Sequence, residues 1–172
     1  MKWPGGSGMV RAQTLNSKWS MNPNIQVDSN RTDLRCFFAA DRNDPRFSIE
    51  ASVRIAHGEQ ILSFIVVAQM PDGTRGSVRG SEFFKAMMDH FGDEAIDVIE
   101  GQWESINPNW TTNLEAFNRI TASTGLTEAM AATKVPTGIY AIRRGYTIVS
   151  MLAANPIGSR GRYTEVLVQY RK

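Results

Sequence analysis

Six residues, Arg75, Gly76, Ser77, Val78, Arg79 and Gly80, stand between an apolar stretch that reads as a strand and one that reads as a helix. That junction has a chemical use. The first N–H groups of a helix have no internal partners, and the helix dipole places about half a positive charge at that end. A glycine lets a phosphate approach the main chain, and a flanking arginine adds charge. Residues 75–80 therefore read as a cradle for a phosphorylated ligand. A flexible glycine hairpin is the competing reading of the same spacing.

The other reactive residue types are sparse. The one cysteine, Cys36, cannot close an internal disulfide, and its place in the apolar run Leu34-Arg35-Cys36-Phe37-Phe38 reads as a small core residue. A nucleophilic thiol needs a histidine or helix N-terminus beside it, and nothing local supplies one. With His57 and His90 the only histidines, a zinc site of Cys and His is excluded, and no metal is expected. Glu100 closes a strand and Glu50 lies on the polar face of another; both read first as solvated acids. Trp103, Trp110 and Phe117 border a loop, where they could stack a base or anchor the loop to the core. Basic residues gather at both ends, Lys2, Arg11 and Lys18 at one and Arg143, Arg144, Arg160, Arg162, Arg171 and Lys172 at the other. Such clusters could meet RNA phosphates, or form ordinary surface.

The elements that must position these residues follow from periodicity. The 172-residue chain, with 42% hydrophobic and 21% charged residues and net charge +2, has the length and composition of one globular domain. No apolar run is long enough to cross a bilayer, and no signal segment is evident, so no membrane partner and a cytoplasmic location are expected. Residues 1–24 read as a flexible basic arm, and 25–172 as a single α+β domain. Phe47, Ile49, Ala51, Val53 and Ile55 alternate with polar neighbours, the period of a strand with one face in the core. His57-Gly58-Glu59 turns the chain into residues 61–70, apolar enough to predict a central strand buried on both faces. Phe83, Phe84, Met87, Met88 and Phe91 fall on one helical face, with Gly92 suited to the C-terminal cap. A strand over 96–103, three helical segments divided by Gly125 and Pro136, and strands over 147–153 and 163–170 complete the chain.

Taken in order, these elements resemble the GCN5-related N-acetyltransferase fold. That family's loop reads Gln/Arg-x-x-Gly-x-Gly/Ala; here residues 75–80 keep the first Arg and the last Gly, and Val78 stands at the middle glycine. Phe83-Phe84 resembles its paired apolar residues, and Arg144-Gly145-Tyr146-Thr147-Ile148-Val149 its late Leu-Gly-Phe-x-x-Val segment. The likeness covers residues 45–172. It implies a central mixed, mainly antiparallel sheet flanked by helices in the order β-β-β-α-β-α-β-β, and acetyl-coenzyme A bound by the amides of the 75–80 loop. It further implies two parallel strands splayed around a thioester beside Glu100, a general base through water. The family's tyrosine acid lies four residues before the late glycine, a place held here by Ala141, with Tyr140 one step off. The family's two N-terminal helices have no counterpart in residues 1–46.

The function this implies is transfer of an acetyl group from acetyl-coenzyme A to a small-molecule or protein amine. Two alternatives remain open. The stretch from Ile99-Glu100-Gly101 to the end resembles terminal modules of bacterial polymorphic toxins, which would make the chain an effector acting on RNA or another intracellular target. Val78 and the missing helices also suit a non-catalytic binding or assembly protein on the same scaffold. Oligomeric state is not legible.

Overall fold

The computed structural model describes residues 21–105, 111–157 and 162–172. Most of the expected arm, Trp110 and Arg160 lie outside the described residues.

Alternation builds the first half of the sheet. In β3 (Ser48–Ala56) Ile49, Ala51 and Val53 are buried while Glu50, Ser52 and Arg54 are exposed. β2 (Cys36–Asp41) pairs with it so that Phe37 meets Ala51 and Ala39 meets Ile49, extending the same apolar face, and short β1 (Ile25–Val27) adds to β2. β4 (Glu59–Val67) returns from β3 through His57 and Gly58, both at positive φ (54° and 82°). A two-residue hairpin loop of that handedness matches the strand twist.

Helix α1 (Gly80–Phe91) buries Phe83, Phe84, Met87 and Met88 against this face. A 12-residue helix is marginal alone. Burial of each large apolar side chain contributes roughly 1.5–3 kcal/mol, so tertiary packing decides its stability. Gly92 ends the helix at φ 83°, its N–H donating to the Met88 carbonyl. After β5 (Val98–Glu104) come α2 (Thr111–Thr124), α3 (Glu128–Ala132) and α4 (Pro136–Arg143). Thr127 caps α3 by accepting from Met130 N, and Pro136 opens α4, where a missing N–H costs nothing. β6 (Ile148–Ile157) and β7 (Arg162–Arg171) close the sheet.

The domain is α+β, and among the described residues seven strands form one sheet in the order β1-β2-β3-β4-β5-β7-β6. All neighbours are antiparallel except β4 and β5. Register aligns Leu62, Ile99 and Tyr170 in one row. Phe64, on that same face, packs on Phe84 of α1, and the Tyr170 hydroxyl donates to the Ala132 carbonyl of α3. The helices thus share one face rather than flanking the sheet on both sides, and among the described residues no helix precedes α1.

That one-sidedness corrects three expectations. Cys36 is exposed rather than in the core, because it alternates with Phe37 onto the uncovered face. Leu34, read as part of an apolar strand, lies ahead of β2 and is 93% exposed. β4 is central but buried on both faces only at its start, where Ile61 and Leu62 are both buried; further along, Ile65 is exposed.

Candidate functional site

The one parallel pair among the described residues is short. β4 and β5 bond only from Ile61–Val98 through Leu62–Ile99 to Ser63–Glu100. Beyond Glu100 the two strands part, β4 running to Val67 and β5 to Glu104 without pairing to each other. On the covered side Trp103 lies over Gly101, whose absent Cβ would fall 2.9 Å from the indole Nε1, and packs on Phe117. Gly101 is thus a seat for the indole.

A cleft of about 390 Å³ opens between the parted strands on the helix side, lined by Phe64, Val66, Gly80, Trp103, Thr137 and Tyr140 among others. A second cavity of about 430 Å³ opens on the uncovered face beside Phe38, Glu50, Ser52 and Glu104. Both are lined by Phe64, Ile65, Glu100 and Gln102, so they lie against the same residues at the parting of the two strands.

The 75–80 loop edges the helix-side cleft, but its donors are arranged differently from the sequence expectation. Val78 is 1% exposed, its side chain in the core. The amides of Ser77 and Val78 donate to Asp41 Oδ2, at 2.5 and 3.1 Å, and the Ser77 hydroxyl donates to the same carboxylate at 2.8 Å. Asp41 also accepts from Asn43 N and is itself 1% exposed. Burial opposes its ionisation, but the bonds from Asn43, Ser77 and Val78 outweigh burial and hold its carboxyl below the ordinary carboxylate range. The Arg79 amide donates to Glu82 Oε2. Ser77, Val78 and Arg79 amides therefore do not face an external anion. Gly76 is small for a different reason from the one anticipated: a Cβ there would lie 2.7 Å from Phe47 Cγ and 2.8 Å from Asp41 Oδ2.

What remains at the cleft's edge is the first turn of α1. The amides of Gly80 and Ser81, and the guanidinium groups of Arg75 and Arg79, have no partner among the described residues, and all four residues line the cleft. The helix dipole adds to that positive end.

Tyr140, one step from the position the resemblance singles out, reaches the same cleft, while Ala141 is fully buried. Its ring packs on Phe84 at 5.3 Å and its hydroxyl would lie 3.5 Å from a Cβ at Gly80. The hydroxyl has no hydrogen-bond partner among the described residues. Burial raises its pKa, with Arg143 pulling weakly the other way, so it stays a proton donor through neutral pH. Asn113 of α2 orients the neighbouring wall by pairing both amide atoms with Thr137, whose N–H it caps at the start of α4.

Glu100 sits at the vertex where pairing ends. Arg54 donates to both its oxygens, Gln169 to Oε2 at 2.7 Å and Ser63 to Oε1. Burial raises its pKa, but these donors win and hold it below the usual range. A carboxylate pinned in that direction is a poor general base at neutral pH, which wants a pKa near 7. The geometry makes Glu100 a fixed anion.

Other candidates are structural. His90 contacts the Asp33 carbonyl and packs on Phe37 and Phe91, and His57 forms the hairpin turn. Within the late basic cluster Arg144 pairs with Asp89 and Asp93, Arg171 pairs with Glu59, and Lys172 donates to the Asp93 carbonyl. Among the described residues no three acids, cysteines or histidines gather as for a metal, and no helix is long and apolar enough to cross a membrane. Sequence reasoning missed Asp41, Arg54 and Gln169. Asp41 stands in the turn cluster Asp41-Arg42-Asn43-Asp44-Pro45, and no local signal marks which acid of a turn folds inward. Comparison with known proteins finds no matching family model, no matching curated protein and no matching solved structure.

Proposed function

We propose that this chain is an acyltransferase-like protein whose cleft holds an acyl thioester of phosphorylated pantetheine, acetyl-coenzyme A being the reference donor, and passes the acyl group to an amine. The observation that carries the reading is the parting of β4 and β5 just past the Ser63–Glu100 pair, onto a cleft that ends at the unpaired amides of Gly80 and Ser81. Splayed parallel strands are what the acetyltransferase resemblance implies. They leave main-chain donors and acceptors facing one another across a slot, which suits the two amides of a pantetheine arm as a strand-like insert.

In this reading Arg75, Arg79 and the first turn of α1 receive phosphate. The neutral amine attacks the thioester carbonyl, the C–N bond forms and the C–S bond breaks. The departing thiolate takes the Tyr140 proton, and the proton released by the new amide nitrogen restores Tyr140 through solvent. Glu100 supplies a fixed negative charge at the vertex. Calorimetry with acetyl-coenzyme A, alongside an assay for thiol release, tests the proposal; no binding at millimolar donor removes it.

A second reading, a non-catalytic binding protein on the same scaffold, draws on the Asp41 cap, because the loop already holds an internal anion. Donor binding without thiol release to any amine, in protein with wild-type folding, would select it.

A further inference from the structure

Asp41 is a buried carboxylate for which the proposed chemistry has no use, and it lies directly behind the cleft wall. Gly76 lines the cleft, and a single added carbon on Gly76 would reach within 2.8 Å of Asp41 Oδ2. The wall separating that charge from the cleft is therefore one glycine thick. The carboxylate also turns the Ser77 and Val78 amides away from the cleft, and neither Ser77 nor Asp41 lines it. A phosphate at the Gly80–Ser81 amides meets two N–H donors and the Arg75 and Arg79 side chains. A second phosphate, placed further along the loop, finds its amides already engaged and the Asp41 charge immediately behind.

We infer that Asp41 is a specificity-determining residue that limits the α1 end of the cleft to a donor carrying one phosphate, a 4′-phosphopantetheine thioester, and disfavours the diphosphate of coenzyme A. The inference rests on the acyl-thioester reading above and narrows its donor. The same single-phosphate arm exists free or attached through its phosphate to a carrier protein.

Calorimetry on the full chain with pantetheine, 4′-phosphopantetheine and dephospho-coenzyme A separates the contributions, since the last adds the second phosphate and the nucleoside without the 3′-phosphate. The expected result is that the first phosphate tightens binding about tenfold or more, and that dephospho-coenzyme A gains no more than about threefold beyond it. In D41N, with the charge removed and one acceptor retained, dephospho-coenzyme A should gain about five- to tenfold relative to phosphopantetheine. Wild-type protein binding dephospho-coenzyme A more than about tenfold tighter than phosphopantetheine overturns the inference and leaves the acyltransferase reading standing. Failure of all three ligands to bind removes both. The wild-type comparison decides the matter even if D41N folds poorly. Thiol-release rates with S-acetyl phosphopantetheine, free and on a carrier protein, then tell the two sources apart; slower release from both than from acetyl-coenzyme A also counts against the inference.

Discussion

Arg54 grips Glu100 from two strands away, its Nη2 lying 2.9 Å from one carboxylate oxygen and 2.8 Å from the other. The bond passes over β4, and with Ser63 and Gln169 it ties β3, β4, β5 and β7 together at the point where the sheet divides. Arg54 is half exposed while the Glu100 side chain is 12% exposed, so the pair is screened on one side only.

Replacing Arg54 with Met should raise the Glu100 pKa, read by carboxyl carbon NMR. The sign for stability follows from the depressed folded value. Wild-type stability from this group is complete above the ordinary value of 4.5 and is lost as pH falls through the lower folded pKa. The acid-side decline in unfolding midpoint should therefore be shallower in R54M than in wild type. An unchanged Glu100 titration in R54M would show that Gln169 and Ser63 alone hold the charge.

Asp41→Ala removes the acceptor for Asn43 N, Ser77 N and Val78 N together. Orphaned buried donors cost about 1–3 kcal/mol each, so a total loss of about 3 kcal/mol is expected in urea unfolding, with D41N between D41A and wild type. Because the folded pKa of Asp41 is depressed, wild type should lose this contribution as pH falls below the ordinary carboxylate value, and D41A should not.

Two glycines near the site should respond oppositely. A Cβ at Gly138 would fall 1.9 Å from the Ala132 carbonyl oxygen, so G138A must push α3 and α4 apart and should cost about 3 kcal/mol or prevent folding. At Gly80 the nearest atoms are 3.5 Å away, and G80A should stay within about 0.5 kcal/mol of wild type in thermal unfolding. Its methyl would nevertheless stand against the Tyr140 hydroxyl, weakening donor binding.

Tyr140→Phe should fold normally and bind donor with wild-type affinity, while thiol release drops about 100-fold, within the usual range for loss of a general acid. Since burial raises the Tyr140 pKa, the wild-type rate should hold past pH 10 before a tyrosine-dependent decline. A rate in Y140F equal to wild type would take the proton-donor role away from this residue.

The sheet and the main helix were legible because their patterns are local. The alternation over Phe47–Val53 and the Phe83–Met88 stripe each encode which side faces the core, though Ile55, the next in the alternation, is exposed beside the hairpin turn; Gly92, Gly125 and Pro136 mark helix limits by backbone chemistry. How far along β4 both faces are buried depends on what lies across the sheet, which no residue in 61–70 records. The site divided in the same way. Arg79 and Gly80 were legible from their place where α1 begins, whereas Glu100, read as closing its strand, lies inside β5; all three line the cleft. Tyr140 could not be told from Ala141 by spacing, because the choice depends on how α4 docks beneath α1. The role of the Ser77 and Val78 amides was illegible, since their partner lies 36 and 37 positions earlier, in a strand whose own pattern continues smoothly into a turn.

β6 is the outer strand on one side of the sheet, and its pairing with β7 slips between Met151 and Ala153 and again between Asn155 and Pro156. A row of outward main-chain groups is an invitation to a further strand, yet here its repeat is broken twice and Pro156 brings no N–H at all. A second chain approaching this border would fall out of step within a few residues. Growth of the sheet into a ribbon of stacked copies is thereby discouraged, with no helix needed to guard that edge.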